Sequence, residues 1–209
     1  MVRFILVRHG ETAYNKEKRI QGSSSDIPLS KRGQLQAERL GLRLKDERID
    51  AVYSSPLRRA LDTAQAVAVH HQIQVTPLQG LKEINAGELE GLRITELKMG
   101  FDEFICSASG TQEILPIPGG ESICDVQKRA WNVMQKIAGL HNEGTIVVVA
   151  HYFVILTIIC QVLNMPLSNI VHLRLSTGTL TAFTMDEKSG PRLELFNDSC
   201  HNADLDILG

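Results

Sequence analysis

Short runs of consecutive apolar residues alternate along the chain with longer stretches in which apolar residues recur every three or four positions. Residues 4–7 and the β-branched residues 146–149 are the clearest such runs. Continuous runs of this kind are typical of strands buried on both faces of a sheet. Weaker patterns predict further strands over residues 49–53, 74–76 and 172–174, and a strand pair over residues 180–184 and 192–196.

The helical pattern is clearest just after the second predicted strand. We expect Ser55 to be the N-cap of this helix and Pro56 its first residue, the position at which proline is favoured. A single apolar stripe then follows at helical spacing, formed by Leu57, Ala60, Leu61, Ala64, Val67 and Ala68.

Three more helices are predicted from similar patterns. One covers residues 30–46, begins at the N-cap Ser30 and has an apolar face of Leu35, Leu40, Leu42 and Leu44. Another covers residues 122–138, with its apolar face formed by Val126, Ala130, Val133 and Ile137. The last follows the strand at residues 146–149 and covers residues 154–163.

Strands that alternate with helices indicate an α/β fold with three layers, in which a mostly parallel sheet has helices on both faces. We expect one domain over residues 1–209, with the irregular residues 84–120 forming a lid. Residues 145–163 contain no Asp, Glu, Lys or Arg and reach the length of a membrane span. The pattern changes at His151, however, so we predict a strand followed by a helix and no membrane partner.

Composition and charge narrow the class of partner. Lys and Arg number 22 against 24 Asp and Glu, and the net charge is -2, which argues against nucleic acid as a partner. The four cysteines lie far apart, and the apolar run before Arg8 is too short for a signal peptide. We therefore expect a cytoplasmic protein, monomeric or homodimeric, with reduced thiols.

Candidate chemistry lies where the predicted strands end. His9 and His151 each follow a buried strand, and a third strand leads into the helix that carries Arg59. Ligands of open α/β sheets bind at the carboxyl ends of strands, where free N–H groups of a helix N-terminus favour an anion. Arg8 and Arg59 add cations suited to phosphate oxygens. A histidine or arginine at a strand end is usually structural, but their joint occurrence indicates a phosphate site.

The motifs resemble those of the histidine phosphatase superfamily, also called the phosphoglycerate-mutase-like family. The string Leu6-Val7-Arg8-His9-Gly10-Glu11-Thr12, followed by Asn15, is similar to the signature of that family. The resemblance continues in family order through residues 26–30, 54–60, 81–91 and 118–122 to Val149-Ala150-His151.

This resemblance implies a fold, a reaction and a role for each matching residue. His9 would be the phosphorylated nucleophile, and Glu83 would protonate the leaving oxygen. Four residues would hold the phosphate group: Arg8, Asn15, Arg59 and His151. The implied activity is a phosphomonoesterase that acts on small phosphate esters through a phosphohistidine and needs no metal or other cofactor.

One departure from the family pattern concerns substrate choice. The second histidine is usually followed by glycine in this family, whereas Tyr152 and Phe153 follow His151 here. The two rings could narrow the pocket, or they could point away from it. Apolar residues of the predicted lid hint at an apolar leaving group, although core packing explains them equally well: Met99, Phe101, Phe104 and Ile105.

Three other functions are open at this point. A cofactor-dependent phosphoglycerate mutase typically has a longer, basic segment after the catalytic glutamate, whereas residues 83–91 are short and acidic, as in the family's broad-specificity and alpha-ribazole phosphatases. A non-catalytic or weakly active phospho-ligand binding protein would be consistent with Tyr152 and Phe153. A metalloenzyme would use His9, Glu11 and His151, with His70 and His71 as further candidate ligands, but the spacing of these residues is not that of a known metal site.

Overall fold

A mixed sheet forms the centre of the molecule. The computed structural model describes residues 1–97, 117–186 and 188–207. In this part of the chain the strands are β1 (Val2–Arg8), β2 (Ala51–Ser54), β3 (Val75–Pro77), β4 (Gly144–Ala150), β5 (Leu180–Asp186) and β6 (Gly190–Asp198). Their order in the sheet is β3-β2-β4-β1-β5-β6. The first four strands in this order are parallel, and β5 and β6 are antiparallel to their neighbours.

Helices cover both faces of the sheet, as the alternation of patterns predicts. They are α1 (Ala13–Lys16), α2 (Lys31–Leu44), α3 (Arg58–Ala68), α4 (Ile123–Leu140), α5 (Tyr152–Val162) and α6 (Ala203–Ile207). Successive strand residues point to opposite faces, so Ile5 and Val7 pack with α2 and α3. Phe4 and Leu6 pack with α4 and α5 on the other face. The three-layer fold with a mostly parallel sheet is therefore confirmed.

Two helices begin where their serine caps predict. The Gly33 N–H donates to Ser30 Oγ over 3.1 Å at the start of α2. At the start of α4 the Asp125 N–H donates to Ser122 Oγ over 3.1 Å, and the Asp125 carboxylate accepts from Ser122 in return. These bonds satisfy N–H groups that have no partner inside the helix.

Three local predictions are wrong. The helix after β2 begins at Arg58 and not at Pro56, because Leu57 has an extended backbone with ψ 137° and is itself the N-cap. No strand forms over residues 172–174, since Leu167–His172 is a 3₁₀ helix followed by irregular chain. On α2, Leu35 and Leu42 are exposed, and the buried stripe runs through Ala37, Leu40 and Leu44.

The uncharged stretch at residues 145–163 forms β4 and most of α5, as predicted. Among the described residues, no helix combines the length and the apolar character needed to cross a bilayer. The predicted lid begins with short 3₁₀ helices over Gly87–Leu89 and Ile94–Glu96. Its apolar residues Met99, Phe101, Phe104 and Ile105 lie outside the described residues.

Candidate active site

The two predicted histidines meet at the carboxyl ends of adjacent strands. β1 and β4 are paired in parallel with Arg8 opposite Ala150, so the next residue of each strand is His9 or His151. The His9 N–H donates to the Ala150 carbonyl over 3.2 Å. The ring centroids of the two histidines are 5.0 Å apart, and the side chains are almost completely buried. The sheet therefore brings together two imidazoles that are 142 positions apart in the sequence.

A close approach of two backbone segments fixes the turn after His9. A Cβ atom on Gly10 would lie 2.4 Å from the Gly33 carbonyl oxygen, so only glycine fits here without a shift of the backbone. The Gly10 N–H donates to Thr63 Oγ1 of α3 over 3.2 Å. This turn is therefore packed between the start of α2 and the first turns of α3.

Burial and neighbouring cations keep both imidazoles neutral. Burial and then the Arg59 charge lower the pKa of His9 and of His151 well below the ordinary value. His9 Nδ1 lies 2.7 Å from the Gly10 carbonyl oxygen, which only accepts hydrogen bonds. Nδ1 therefore carries the proton, and Nε2 of His9 keeps a free lone pair.

Arg59 is a fully buried cation beside the histidines. Its guanidinium donates to the Ser25 carbonyl over 2.8 Å and to the Gly22 carbonyl over 3.0 Å. Burial lowers the pKa of Arg59 to about 10, so the side chain remains charged at neutral pH. Glu90 holds the same loop, because its carboxylate accepts from the N–H groups of Gly22, Ser24 and Ser25.

Arg8 reaches the site from the end of β1. Its Nη1 donates to the Leu175 carbonyl, and its guanidinium carbon lies 5.0 Å from the centroid of the Tyr152 ring. Several buried nitrogen atoms of the site form no hydrogen bond with any described residue: Arg8 Nε, Arg59 Nε and both ring nitrogens of His151. Because buried polar groups are normally paired, these atoms point to a polar ligand.

Glu83 supplies a buried carboxyl group to the same cavity. Its Oε1 accepts from the Ile84 N–H over 2.9 Å, and its Oε2 accepts from the Phe153 N–H over 3.4 Å. Burial raises the pKa of this carboxyl, and the two hydrogen bonds and the charges of Arg59 and Arg8 oppose the shift. The protonated form of Glu83 therefore persists to a higher pH than in a free carboxyl.

Asn15 lines the cavity next to the turn that follows His9. Its side-chain oxygen accepts from the N–H and the hydroxyl of Thr12, each over 3.0 Å. These contacts leave the Nδ2 amino group as the side-chain donor of Asn15. That is the group required by its predicted hydrogen bond to a phosphate.

The predicted anion site at the start of α3 is wrong. The Arg58 N–H donates to Asp26 Oδ1 over 2.7 Å, so this N–H is already occupied by a carboxylate of the protein. The helix that begins at the site is α5, whose N-cap is His151 itself. One of its N–H groups, that of Phe153, serves Glu83.

The cavity beside His9 has a volume of about 600 Å³ and is also lined by Arg8, Asn15 and Glu83, whereas the fully buried Arg59 and His151 are not among its lining residues. Tyr152 and Phe153 both line it, and their rings pack edge to face with centroids 5.2 Å apart. Both residues therefore form part of the cavity wall, and both also pack against the core on the α4 and α5 side of the sheet.

Sequence reasoning missed several polar residues of the cavity wall: Lys18, Arg19, Gln21, Arg32, Gln36, Arg174 and Asn202. They lie on loops, on α2 and near the C-terminal end of the described chain, where no strand end marks them. Arg174 belongs to the predicted strand over residues 172–174, which does not form. Arg8 and Arg59 predict a positive charge at the site. No pattern in the sequence predicts that Lys18 and Arg174 extend this charge along the cavity wall.

Of the residues of the metalloenzyme alternative, His9 and His151 come together, but His70 and His71 do not join them. His70 and His71 follow the end of α3, about 16 Å along the helix from the end that faces the site. In the described part of the chain, no group of three or more His, Cys, Asp or Glu side chains is arranged to hold a metal ion.

Comparison with known proteins places this site in a family. Residues 4–199 match the family described as Histidine phosphatase superfamily (branch 1). The match covers most of the chain, so the protein belongs to this superfamily, as its motifs imply.

Several relatives are phosphatases. The chain is 37% identical over 182 residues to a protein of Arabidopsis thaliana named Metal-independent phosphoserine phosphatase, covering 81% of this chain and 76% of the relative. A crystal structure of a phosphoserine phosphatase variant from Entamoeba histolytica in complex with phosphoserine superimposes with a TM-score of 0.85. It is 32% identical, and the match covers 96% of this chain and 99% of that one.

Another relative has a mutase name. The protein named Probable phosphoglycerate mutase GpmB from Salmonella choleraesuis is 31% identical over 208 residues, covering 96% of this chain and 95% of the relative. The family match and the relatives named phosphatases support the assignment of this chain as a phosphatase. The relative with a mutase name leaves mutase activity as the alternative.

Proposed function

We propose that the protein hydrolyses small phosphate monoesters through a phosphohistidine on His9, without a metal. The observation that carries this proposal is the pair of buried neutral imidazoles, 5.0 Å apart, beside two guanidinium groups. Several nitrogen atoms in this group, including both of His151, have no partner among the described residues. A tetrahedral phosphate presents the acceptor oxygens that such donors require.

The first step transfers the phosphoryl group to His9. The Nε2 lone pair attacks phosphorus, the bond to the ester oxygen breaks, and Glu83 gives its proton to that oxygen. A neutral imidazole adds no negative charge to the attack on a phosphate dianion, while Arg8 and Arg59 stabilise the transferred group. His151 and Asn15 donate further hydrogen bonds.

The second step returns the enzyme to its starting state. Glu83, now a carboxylate, accepts a proton from a water molecule that attacks phosphorus. The bond between phosphorus and His9 Nε2 breaks, inorganic phosphate forms, and Glu83 is protonated again. Positioned donors account for most of the rate in such a mechanism, and loss of one typically lowers kcat by about 10²–10³-fold.

The charge at the mouth of the cavity favours esters with a second anionic group. Lys18 and Arg174 line the cavity, and neither forms an ion pair with another residue that the structure describes. A carboxylate on the alcohol part of the substrate would lie among these cations. The names of the relatives agree with this proposal, since phosphoserine carries a carboxylate.

The cellular location and the assembly of the protein are further parts of this proposal. Cys124, Cys160 and Cys200 form no disulfide within the described part of the chain, which agrees with a reducing compartment, and we place the protein in the cytoplasm. We retain one domain over residues 1–209, with a lid near residues 84–120, as a proposal. As partners we propose small phosphate esters and no nucleic acid or membrane, in a monomer or homodimer.

The proposal is tested with a panel of phosphate esters in the presence of EDTA. We expect hydrolysis of p-nitrophenyl phosphate and faster hydrolysis of phosphoserine than of an uncharged alkyl phosphate. His9→Asn should abolish turnover, and brief incubation with a ³²P-labelled ester should place an acid-labile label on His9. Activity that needs added metal, or turnover in His9→Asn, would overturn the proposal.

The mutase alternative has a distinct result in the same assays. A mutase would interconvert phosphoglycerates and would be stimulated by 2,3-bisphosphoglycerate. We expect release of inorganic phosphate from phosphoglycerate without such stimulation. Phosphate binding without turnover by the parent protein would instead identify a binding protein.

A further inference from the structure

The residue that follows the second histidine lies directly against Arg8. Tyr152 is the first residue of α5, and the guanidinium carbon of Arg8 is 5.0 Å from the centroid of its ring. A cation within about 6 Å of an aromatic face is attracted by the negative charge of that face. The glycine usual at this place in the family offers no such face.

Both partners of this contact are fixed to one short segment. The Tyr152 hydroxyl donates to the Leu173 carbonyl over 3.4 Å, and Arg8 Nη1 donates to the Leu175 carbonyl. The segment is itself held, because Leu175 is buried and the Ser176 N–H donates to Asn197 Oδ1 over 2.9 Å. Arg8 is therefore fixed by a ring on its face and by a carbonyl at one nitrogen.

This arrangement leaves donors of Arg8 for a ligand. A guanidinium has five N–H groups in its plane and none on its faces. A contact with the face stabilises the cation without using an N–H group, and Arg8 Nε has no partner among the described residues. Burial lowers the pKa of Arg8, and the nearby Glu83 and Tyr152 oppose this shift.

We propose that Tyr152 is a positioning residue that holds the Arg8 guanidinium in the orientation that binds the phosphate group. This inference rests on the proposed role of Arg8 as a phosphate ligand. The ring acts through its face, and the hydroxyl acts only as an anchor of the ring. Substitutions at position 152 therefore change phosphate binding according to whether they keep an electron-rich ring.

Calorimetric titration with inorganic phosphate tests the inference without any need for turnover. Tyr152→Phe keeps the ring and should retain the Kd to within about threefold. Tyr152→Leu removes the ring and should weaken binding by about tenfold, the size expected of a desolvated contact of this kind. Tyr53→Leu, which removes a tyrosine on β2, is the control for a general loss of packing, and should bind phosphate like the parent.

A second variant covers the case in which Tyr152→Leu does not fold. Pentafluorophenylalanine introduced at position 152 keeps the shape of phenylalanine but reverses the charge of the ring face. It should weaken phosphate binding relative to Tyr152→Phe by a factor similar to that of the leucine variant. Equal binding by the fluorinated and unfluorinated rings would overturn the inference, as would equal weakening in Tyr152→Phe and Tyr152→Leu.

The kinetics give an independent readout of positioning. Tyr152→Leu should lower kcat/KM for p-nitrophenyl phosphate, whereas Tyr152→Phe should keep a kcat/KM close to that of the parent. Arg8→Met in the phosphate titration separates the two proposals. Unchanged binding in that variant would refute the role of Arg8 and with it this inference, whereas labelling of His9 tests the phosphohistidine regardless of position 152.

Discussion

Burial acts in opposite directions on the two kinds of titratable side chain at this site. It lowers the pKa of the imidazoles of His9 and His151 and raises the pKa of the Glu83 carboxyl. In each case the neutral form is favoured, because a charge is poorly solvated in the interior. The proposed reaction needs these forms: a neutral nucleophile and a protonated acid. A single physical cause therefore prepares both groups.

The raised pKa of Glu83 predicts how the rate depends on pH and on the leaving group. Glu83→Gln cannot donate a proton, so kcat/KM for phosphoserine, which reports the first step, should fall by about 10²–10⁴-fold. kcat/KM for p-nitrophenyl phosphate should fall much less, because nitrophenolate leaves without a proton, although the second step is slowed for both esters. In the parent, kcat/KM for phosphoserine should fall as the pH rises through the raised pKa of Glu83. Stopped assays of both esters over a range of pH measure these effects.

A nearby exposed carboxylate provides the control for this prediction. Glu88 lies on the same segment but is exposed, so Glu88→Gln should leave both rates and the pH profile unchanged. If Glu83→Gln lowered kcat/KM equally for the two esters, Glu83 would not be the acid that protonates the leaving oxygen.

At the scale of elements, continuous apolar runs were sufficient to predict the strands that position the site. Residues 4–7 and 146–149 lie within β1 and β4, and each of these strands is followed directly by a site histidine. These strands are buried on both faces, so hydrophobicity alone marks them. The start of α3 depends instead on a local competition. The Leu57 N–H donates to Ser55 Oγ over 3.3 Å, which forms a turn in place of the predicted cap.

Contacts between distant loops could not be predicted from local patterns. Arg59 is predicted to be a phosphate ligand, yet the carbonyl groups that hold it belong to Gly22 and Ser25. The carboxylate that fixes this loop is that of Glu90, more than sixty positions further along the chain. No periodicity relates residues at such separations, so only the folded structure shows that Glu90 supports Arg59.

The carboxylate that caps α3 gives a prediction about this element. Asp26→Ala removes the acceptor of the Arg58 N–H and should lower the free energy of unfolding by about 1 kcal/mol. Asp26→Asn keeps an acceptor oxygen and should lose only a fraction of this amount. Urea denaturation of the three proteins measures the difference. An alanine variant as stable as the parent would show that the contact does not stabilise the helix.

At the scale of the whole molecule, we expect the candidate active site to reduce the stability of the fold that supports it. His151 is completely buried, and neither ring nitrogen has a partner among the described residues. An unpaired polar group in the interior costs roughly 1–3 kcal/mol by protein mutational data. Arg8 and Arg59 also lie close to His151, although the net charge of the protein is slightly negative. A bound phosphate would offset these costs, so stability and ligand binding are coupled.

His151→Leu should therefore give a more stable but inactive protein. At neutral pH we expect its free energy of unfolding to rise by about 1–3 kcal/mol, and the stabilisation of the parent by inorganic phosphate to be largely lost. His172→Gln, which changes an exposed histidine, should have neither effect. Urea denaturation with and without phosphate measures both quantities, and a leucine variant less stable than the parent would contradict the expected cost of the buried imidazole.

The pH dependence of unfolding tests the same physical cause. Because the pKa of His151 is lower in the folded than in the unfolded chain, the unfolded chain binds a proton first as the pH falls. The stability of the parent is therefore complete above the ordinary histidine pKa of 6.5 and decreases below it, by up to about 1.4 kcal/mol per pH unit for each buried histidine. His9 has a shift in the same direction, so His151→Leu should reduce this slope without abolishing it. An unchanged slope would mean that the pKa of His151 is the same in the folded and unfolded chains, so that burial does not keep this imidazole neutral.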